Sequence, residues 1–197
     1  LSGNATEQYE LVREKVRNLV NAAHAHEIIF TRGTTESINL LAYSIGKGLI
    51  EEDDEIIVTE LEHHSNIVPW QLLCEERGAK LKVVPVDDNG NPDLGSYNTL
   101  LTNKTKVVSV AHVSNTLGTV LPLKEIINSA HEKGALVVID GAQAVPHMRV
   151  DLQDLDCDFY CFSSHKMFGP TGMGVLYGKQ HLLDELPPYH GGGNMIS

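Results

Sequence analysis

Apolar residues follow two alternating rhythms along this chain. Short unbroken runs rich in Ile, Val and Phe occupy residues 27–30, 55–59, 80–86, 106–113, 135–139, 159–162 and 175–177. Runs this short, flanked by polar and glycine-rich segments, predict buried strands. Between them apolar positions recur every three or four residues, as in Val12, Val16, Leu19 and Val20, or Ile38, Leu41, Ala42 and Ile45. That spacing predicts helices over about 4–23, from 34, from 67 to Gly78, over 94–101 and over 123–133. Asn4 with Glu7 has the form of a capping box. Pro69 fits only the first turn of its helix, and Gly134 the position just past a helix end. The glycines at 191–193 suggest a flexible or tightly turning loop. Strand and helix alternating in this way predict an α/β fold with a mostly parallel seven-stranded sheet flanked by helices. The most apolar run, Ala135-Leu136-Val137-Val138-Ile139, has the character of a central parallel strand.

Polar side chains collect where these strands end. Residues 159–162 lead into Ser163-Ser164-His165-Lys166, and Gly169-Pro170 then breaks the chain. Lys166 has two readings. It is a surface lysine, the usual fate of the residue, or an amine placed for Schiff-base chemistry at the edge where open α/β sheets bind ligands. The central run delivers Asp140, followed by Gly141-Ala142-Gln143. A carboxylate there needs a partner, because burying its charge alone is expensive. The turn after 27–30 reads Thr31-Arg32-Gly33-Thr34-Thr35-Glu36 and opens a helix, either as simple capping or as an anion site at the helix N-terminus. His63 and His64 follow the strand 55–59, and Asn115 follows 106–113. Neither GxxxxGK[ST] nor GxGxxG occurs, so a P-loop or dinucleotide fingerprint is unsupported.

Composition narrows the partners. The 197 residues form one large domain or two small ones. The formal charge is −11, so nucleic acid and anionic membrane are unexpected partners. No apolar run has the length of a membrane span, and no charged-then-apolar leader opens the chain. Three cysteines, Cys74, Cys157 and Cys161, suit a reducing compartment, hence a cytoplasmic location. Cys157, Cys161 and His165 are four residues apart, about 13 Å on an extended strand, too far to share one ion, so no metal site is expected.

One ligand accounts for the whole set of strand-end groups. It needs a carbonyl for Lys166, a protonated ring nitrogen for Asp140, a flat ring beside an imidazole, and a phosphate near hydroxyls and a helix start. Pyridoxal phosphate meets all four requirements.

Five segments also resemble a known family in order and content: Thr31-Arg32-Gly33-Thr34-Thr35-Glu36, Glu62-His63-His64-Ser65-Asn66, His112-Val113-Ser114-Asn115, Asp140-Gly141-Ala142-Gln143, and Ser163 through Gly172. They resemble the class V aminotransferases, whose fold is pyridoxal-phosphate transferase fold type I, and within them the Suf-type cysteine desulfurases and selenocysteine lyases. The resemblance implies that residues 1–197 are the cofactor-binding large domain of a longer chain. It implies Lys166 and His63 as catalytic residues. Lys166 would hold the cofactor carbonyl and move the α-proton, and His63 would stack on the ring and relay a proton. Asp140 would pair with the ring nitrogen and Gln143 with the phenolic oxygen. Thr34, Thr35, Ser163 and His165 would hold the phosphate, with Asn115 near the substrate carboxylate. The implied substrates are L-cysteine or L-selenocysteine, the product a persulfide for iron–sulfur cluster assembly, and the partners a second copy of the chain and a SufE-like sulfur acceptor. None of the three cysteines matches the family's nucleophile, and buried, inert thiols are expected. A transaminase, an epimerase or a non-catalytic cofactor-domain remnant are the alternatives.

Overall fold

The computed structural model describes residues 2–192, and Gly193 of the glycine loop lies outside them. Five strands form a parallel block: β2 (Glu55–Thr59), β3 (Lys80–Val84), β4 (Thr105–Ala111), β5 (Leu136–Asp140) and β6 (Phe159–Ser163). On the far side of β6, β7 (Gly174–Gly178) and β1 (Ile28–Thr31) add as antiparallel strands. The order β1-β7-β6-β5-β4-β2-β3 makes β5 the middle strand of seven. Val137, Val138 and Ile139 of β5 are wholly buried, as their unbroken apolar run requires. At about 1.5–3 kcal/mol for each buried aliphatic side chain, this strand fixes the layer in which Asp140 must end.

Two apolar layers sandwich the sheet. One contains Ile57, Val108, Val137, Ile139 and Tyr160; the other contains Ile56, Val58, Val138, Phe159 and Cys161. Odd and even positions thus part to opposite faces, as period-two pleating dictates. The helices α2 (Thr34–Gly48) and α3 (Val68–Arg77) cover the second face, with Ile38, Leu41, Ile45 and Trp70 buried. On the first face α5 (Leu123–Glu132) buries Leu123, Ile126, Ile127 and Ala130, and Tyr97 of α4 (Leu94–Leu100) donates its hydroxyl to the Ile126 carbonyl at 2.8 Å. Asp158 ties the opposite end of the sheet together. Its carboxylate accepts from the Val137 amide (2.7 Å) and from Lys179 (3.1 Å), and lies 2.9 Å from His131 Nε2.

The predicted elements are all present, and their differences lie at the ends. The helix α1 (Ser2–Leu19) starts before Asn4, so Asn4 sits inside it and caps nothing. It stops at Leu19, short of the expected 23, because Val20 and Ala22 turn into the core and Asn21 adopts φ 52°. Glu27 belongs to a 3-10 turn, and β1 begins one residue later. Val86 and Val113 pair as isolated bridges with Pro92 and Val120 rather than extending their strands. Two short helices, α6 (Leu152–Leu155) and α7 (Gln180–Glu185), have no counterpart in the sequence reading, being too short to show a period.

Gly174 deserves a test, because β7 meets the strand-to-helix turn there. A Cβ on it would lie 2.4 Å from Gly33 Cα and 2.6 Å from Gly33 C and N. That obstacle is backbone, which cannot swing aside as a side chain would. Gly174→Ala is expected to destabilise the fold by about 3 kcal/mol, measured by urea denaturation. A loss below about 0.5 kcal/mol would mean that the turn yields freely.

Candidate active site

The carboxyl ends of β2, β4, β5 and β6 bring the predicted residues to one edge. The turn between β1 and α2 brings a helix N-terminus to the same side. Thr34 and Ser163 close that corner. The Thr34 amide donates to Ser163 Oγ at 2.8 Å, and the two hydroxyls are 2.7 Å apart. Both residues are buried. The first-turn amides of α2 have no acceptor within the helix, so the corner presents donors and a positive dipole end. A pocket of about 680 Å³ opens here, lined in part by Thr34, Thr35, Ser163, His165, Thr171 and Tyr189. Glu36 also faces it, but its charge is tied up. Arg32 holds it through Nε at 2.9 Å and Nη2 at 2.6 Å, and the Arg32 amide donates at 2.6 Å. Hydrogen bonding from Arg32 pulls the Glu36 carboxyl below its ordinary range. The pocket therefore offers hydroxyl donors and a helix N-terminus to an anion.

Asp140, Lys166 and His63 form the second group. Asp140 is 7% exposed and takes the Ala142 amide on Oδ1 at 2.9 Å. Burial pushes its carboxyl upward. The Ala142 amide, with Lys166 and His63 nearby, pulls the other way without cancelling that rise. A cation or protonated base reaching a buried acid of this kind would favour its ionised form. Lys166 lies on the 3-10 turn Ser164–Met167 that follows β6 and is half-buried. His63 caps the 3-10 turn His64–Asn66. Its Nδ1 accepts from the Ser65 amide at 3.1 Å and lies 2.8 Å from Ser65 Oγ. With Nδ1 accepting from the amide, Nε2 is the ring nitrogen left free to meet a ligand. Asn115 is exposed in the turn after β4 and Gln143 half-buried in the turn after β5. Neither lines the pocket.

Three residues with no assigned role in the sequence reading stand beneath this edge. His112 Nδ1 and the Tyr160 hydroxyl are 2.9 Å apart, and burial pushes His112 down to about 4, so its ring is neutral at pH 7. Tyr160 passes under Gly141, where a Cβ would fall 1.9 Å from the ring, so residue 141 cannot carry a side chain. Glu62 is the third. Burial pushes it up to about 7, against bonds from Thr59 Oγ1 (2.6 Å), Asn66 Nδ2 (2.7 Å) and the Ala111 backbone. Glu62 and His112 stand inside segments the sequence singled out, but their burial has no signature in one sequence.

Glu62 has a measurable consequence for stability. Its folded pKa of about 7 lies above its ordinary 4.5, so between these values the folded protein binds more protons than the unfolded chain. Its contribution is complete below about pH 4.5 and is lost as pH rises through 7. The gap corresponds to about 3 kcal/mol. Glu62→Gln should therefore leave stability nearly unchanged at pH 4 and raise it at pH 8, by up to that amount, in paired urea titrations. Equal stability of the two proteins at both pH values would refute the assignment.

The three cysteines are buried and unpaired. Burial pushes Cys74 up to about 11 and pushes Cys157 and Cys161 higher still. None is a thiolate at neutral pH, as the sequence suggested. Among the described residues no helix is long and apolar enough to cross a membrane.

Comparison with known proteins agrees with this geometry. The family model for aminotransferase class-V matches residues 1–197. A cysteine desulfurase of Synechococcus elongatus is 57% identical over 197 residues, which are all of this chain and 32% of that protein. The solved cysteine desulfurase CsdA from Escherichia coli, in its S-sulfonic acid form, superposes with a TM-score of 0.94 at 42% identity, over 99% of this chain and 49% of that one. A variant of C-DES with glycine covalently linked to its PLP cofactor superposes with a TM-score of 0.87 at 26% identity, over 100% of this chain and 52% of that one. The chain thus spans about a third to a half of the relatives it matches.

Proposed function

We propose, from the premise that this chain belongs to the aminotransferase class-V family, that it is the pyridoxal-phosphate-binding large domain of a cysteine desulfurase. The observation that carries the reading is the pairing of the two groups at one sheet edge. An anion pocket at the start of α2 stands beside a buried Asp140 that lies in the field of Lys166 and His63.

The residues present fit that cofactor by their chemistry. Thr34, Thr35, Ser163 and His165 supply hydroxyl and imidazole donors for a phosphate, and the α2 N-terminus supplies its dipole. Asp140, whose own surroundings resist ionisation, gains a partner in a protonated ring nitrogen. Gln143 and Asn115, at neighbouring strand ends, would take the phenolic oxygen and the substrate carboxylate. When bound, pyridoxal phosphate supplies a conjugated ring that accepts the electron pair left at the substrate Cα. Lys166 Nζ would hold the cofactor and take the α-proton of L-cysteine or L-selenocysteine. His63, whose Nδ1 accepts from the Ser65 amide, would flank the ring with Nε2 as the nitrogen left for proton exchange. Asp140 would hold the proton on the ring nitrogen. The buried thiols of Cys74, Cys157 and Cys161 do not take the sulfur, so another thiol receives it as a persulfide for iron–sulfur cluster assembly. A SufE-like acceptor is the expected partner. Phe168, 99% exposed two residues from Lys166, is the kind of surface a second copy would cover in a homodimer.

The test is a visible spectrum. Added pyridoxal phosphate should produce a visible band that borohydride removes, and L-cysteine, supplied with an acceptor thiol and a dithiol reductant, should then yield alanine and, on reduction of the persulfide, sulfide in equal amounts. A transaminase would return no sulfur, an epimerase would yield D-cysteine, and a cofactor-domain remnant would bind without turnover.

A further inference from the structure

The buried carboxyl of Glu62 has no place in the chemistry just described, yet it joins two parts of the site. It lies one residue before His63, in the segment between β2 and α3. Its oxygens accept from Thr59 Oγ1 at 2.6 Å and from Asn66 Nδ2 at 2.7 Å, with a further bond from the backbone of Ala111. Asn66 is anchored in turn, since its Oδ1 accepts from Ser109 Oγ at 2.6 Å and from Trp70 Nε1 at 3.2 Å. Asn66, Ser109 and Trp70 are wholly buried. The network pins both ends of the His63 loop to β4. Ala111, the last residue of β4, is in register with Asp140 of β5, and adjacent parallel strands run about 4.8 Å apart.

We propose that Glu62 is a positioning residue: its carboxyl locks the His63 loop onto the β4–β5 pair and, when ionised, adds a negative charge that Asp140 feels. This rests on the functional reading above. Thr59, Asn66 and Ser109 around it are neutral, and Asp140 is the charged group that acts on it directly. Lys166 and His63 act on Asp140 in turn. A fixed negative charge near the cofactor's protonated nitrogens favours their protonated state. Without the charge, those nitrogens lose their protons at lower pH.

Glu62→Gln separates charge from architecture. The amide oxygen can still accept from Asn66, and the Thr59 hydroxyl can turn to accept from the amide nitrogen. Glu62→Ala removes all three bonds and reports the purely structural contribution. Two measurements decide, one on the protein without pyridoxal phosphate and one with it. Without cofactor, the indole resonance of Trp70, the only tryptophan in the chain, should titrate near neutral pH in wild type and stay flat in Glu62→Gln. With cofactor, the pH midpoint of the visible band should fall by about 0.5–1 unit in Glu62→Gln. A Trp70 titration that persists in the Gln variant, or a band midpoint that does not move, overturns the proposal. A wild-type protein that forms no band at all sinks the functional reading, and this proposal with it. A band that forms but does not shift sinks this proposal alone.

Discussion

Replacing Lys166 by alanine is expected to erase the visible band that pyridoxal phosphate gives the wild-type protein. It should also lower cysteine turnover by about four orders of magnitude. The loss follows from position. The 3-10 turn after β6 holds this half-buried amine at the edge where Asp140 emerges, and its charge acts on that carboxyl. Asp140 then loses one of the charges that hold its pKa down, and a second cation is harder to keep beside it. The fold itself should survive, because β6 is held by β5 and β7 and by its buried Tyr160, Cys161 and Phe162. The check is a spectrum and a far-UV circular dichroism trace of the same sample. A variant that keeps a borohydride-sensitive band would place the reactive amine elsewhere.

The second large effect is expected from Asp140→Asn. Asparagine can still accept the Ala142 amide, so the turn after β5 is preserved. It cannot carry the negative charge that keeps a ring nitrogen protonated. Losing one preorganised electrostatic partner of this kind typically slows a reaction about 10²–10³-fold. The band should persist, since Lys166 is intact, while alanine formation falls by that factor at saturating cysteine. Retention of binding with loss of turnover distinguishes this from misfolding. An unchanged rate would contradict the assignment of Asp140 to the ring nitrogen.

Much of the fold was legible in the chain because burial on both faces forces unbroken apolar runs. Residues 55–59 match β2 residue for residue, and 135–139 match β5 to within one. Glycine and proline marked boundaries where backbone geometry demands them, as at Gly78, which ends α3 with φ 71°. Asn4 misled the reading because a capping pattern is satisfied by residue types alone, while the helix start depends on what precedes it. Burial of individual polar groups was not legible. Glu62 stands between Leu61 and His63 in the sequence exactly as a solvated loop acid would, and only the packing of α3 and β4 around it removes its water.

By itself the sequence determined which of the longer elements form, that their polar residues gather at strand ends, and which residue types stand there to meet a carbonyl, a ring nitrogen and a phosphate. Local periodicity and turn chemistry carry that much, because they act over a few neighbouring residues. The tertiary structure decided which of these groups share a pocket and how their charges are tuned. It set Thr34 against Ser163 across 129 positions of chain, placed Asp140 in the field of Lys166 and His63, and raised Glu62 toward neutrality. Those outcomes depend on strand order and on exclusion of water, which arise only when distant segments pack together.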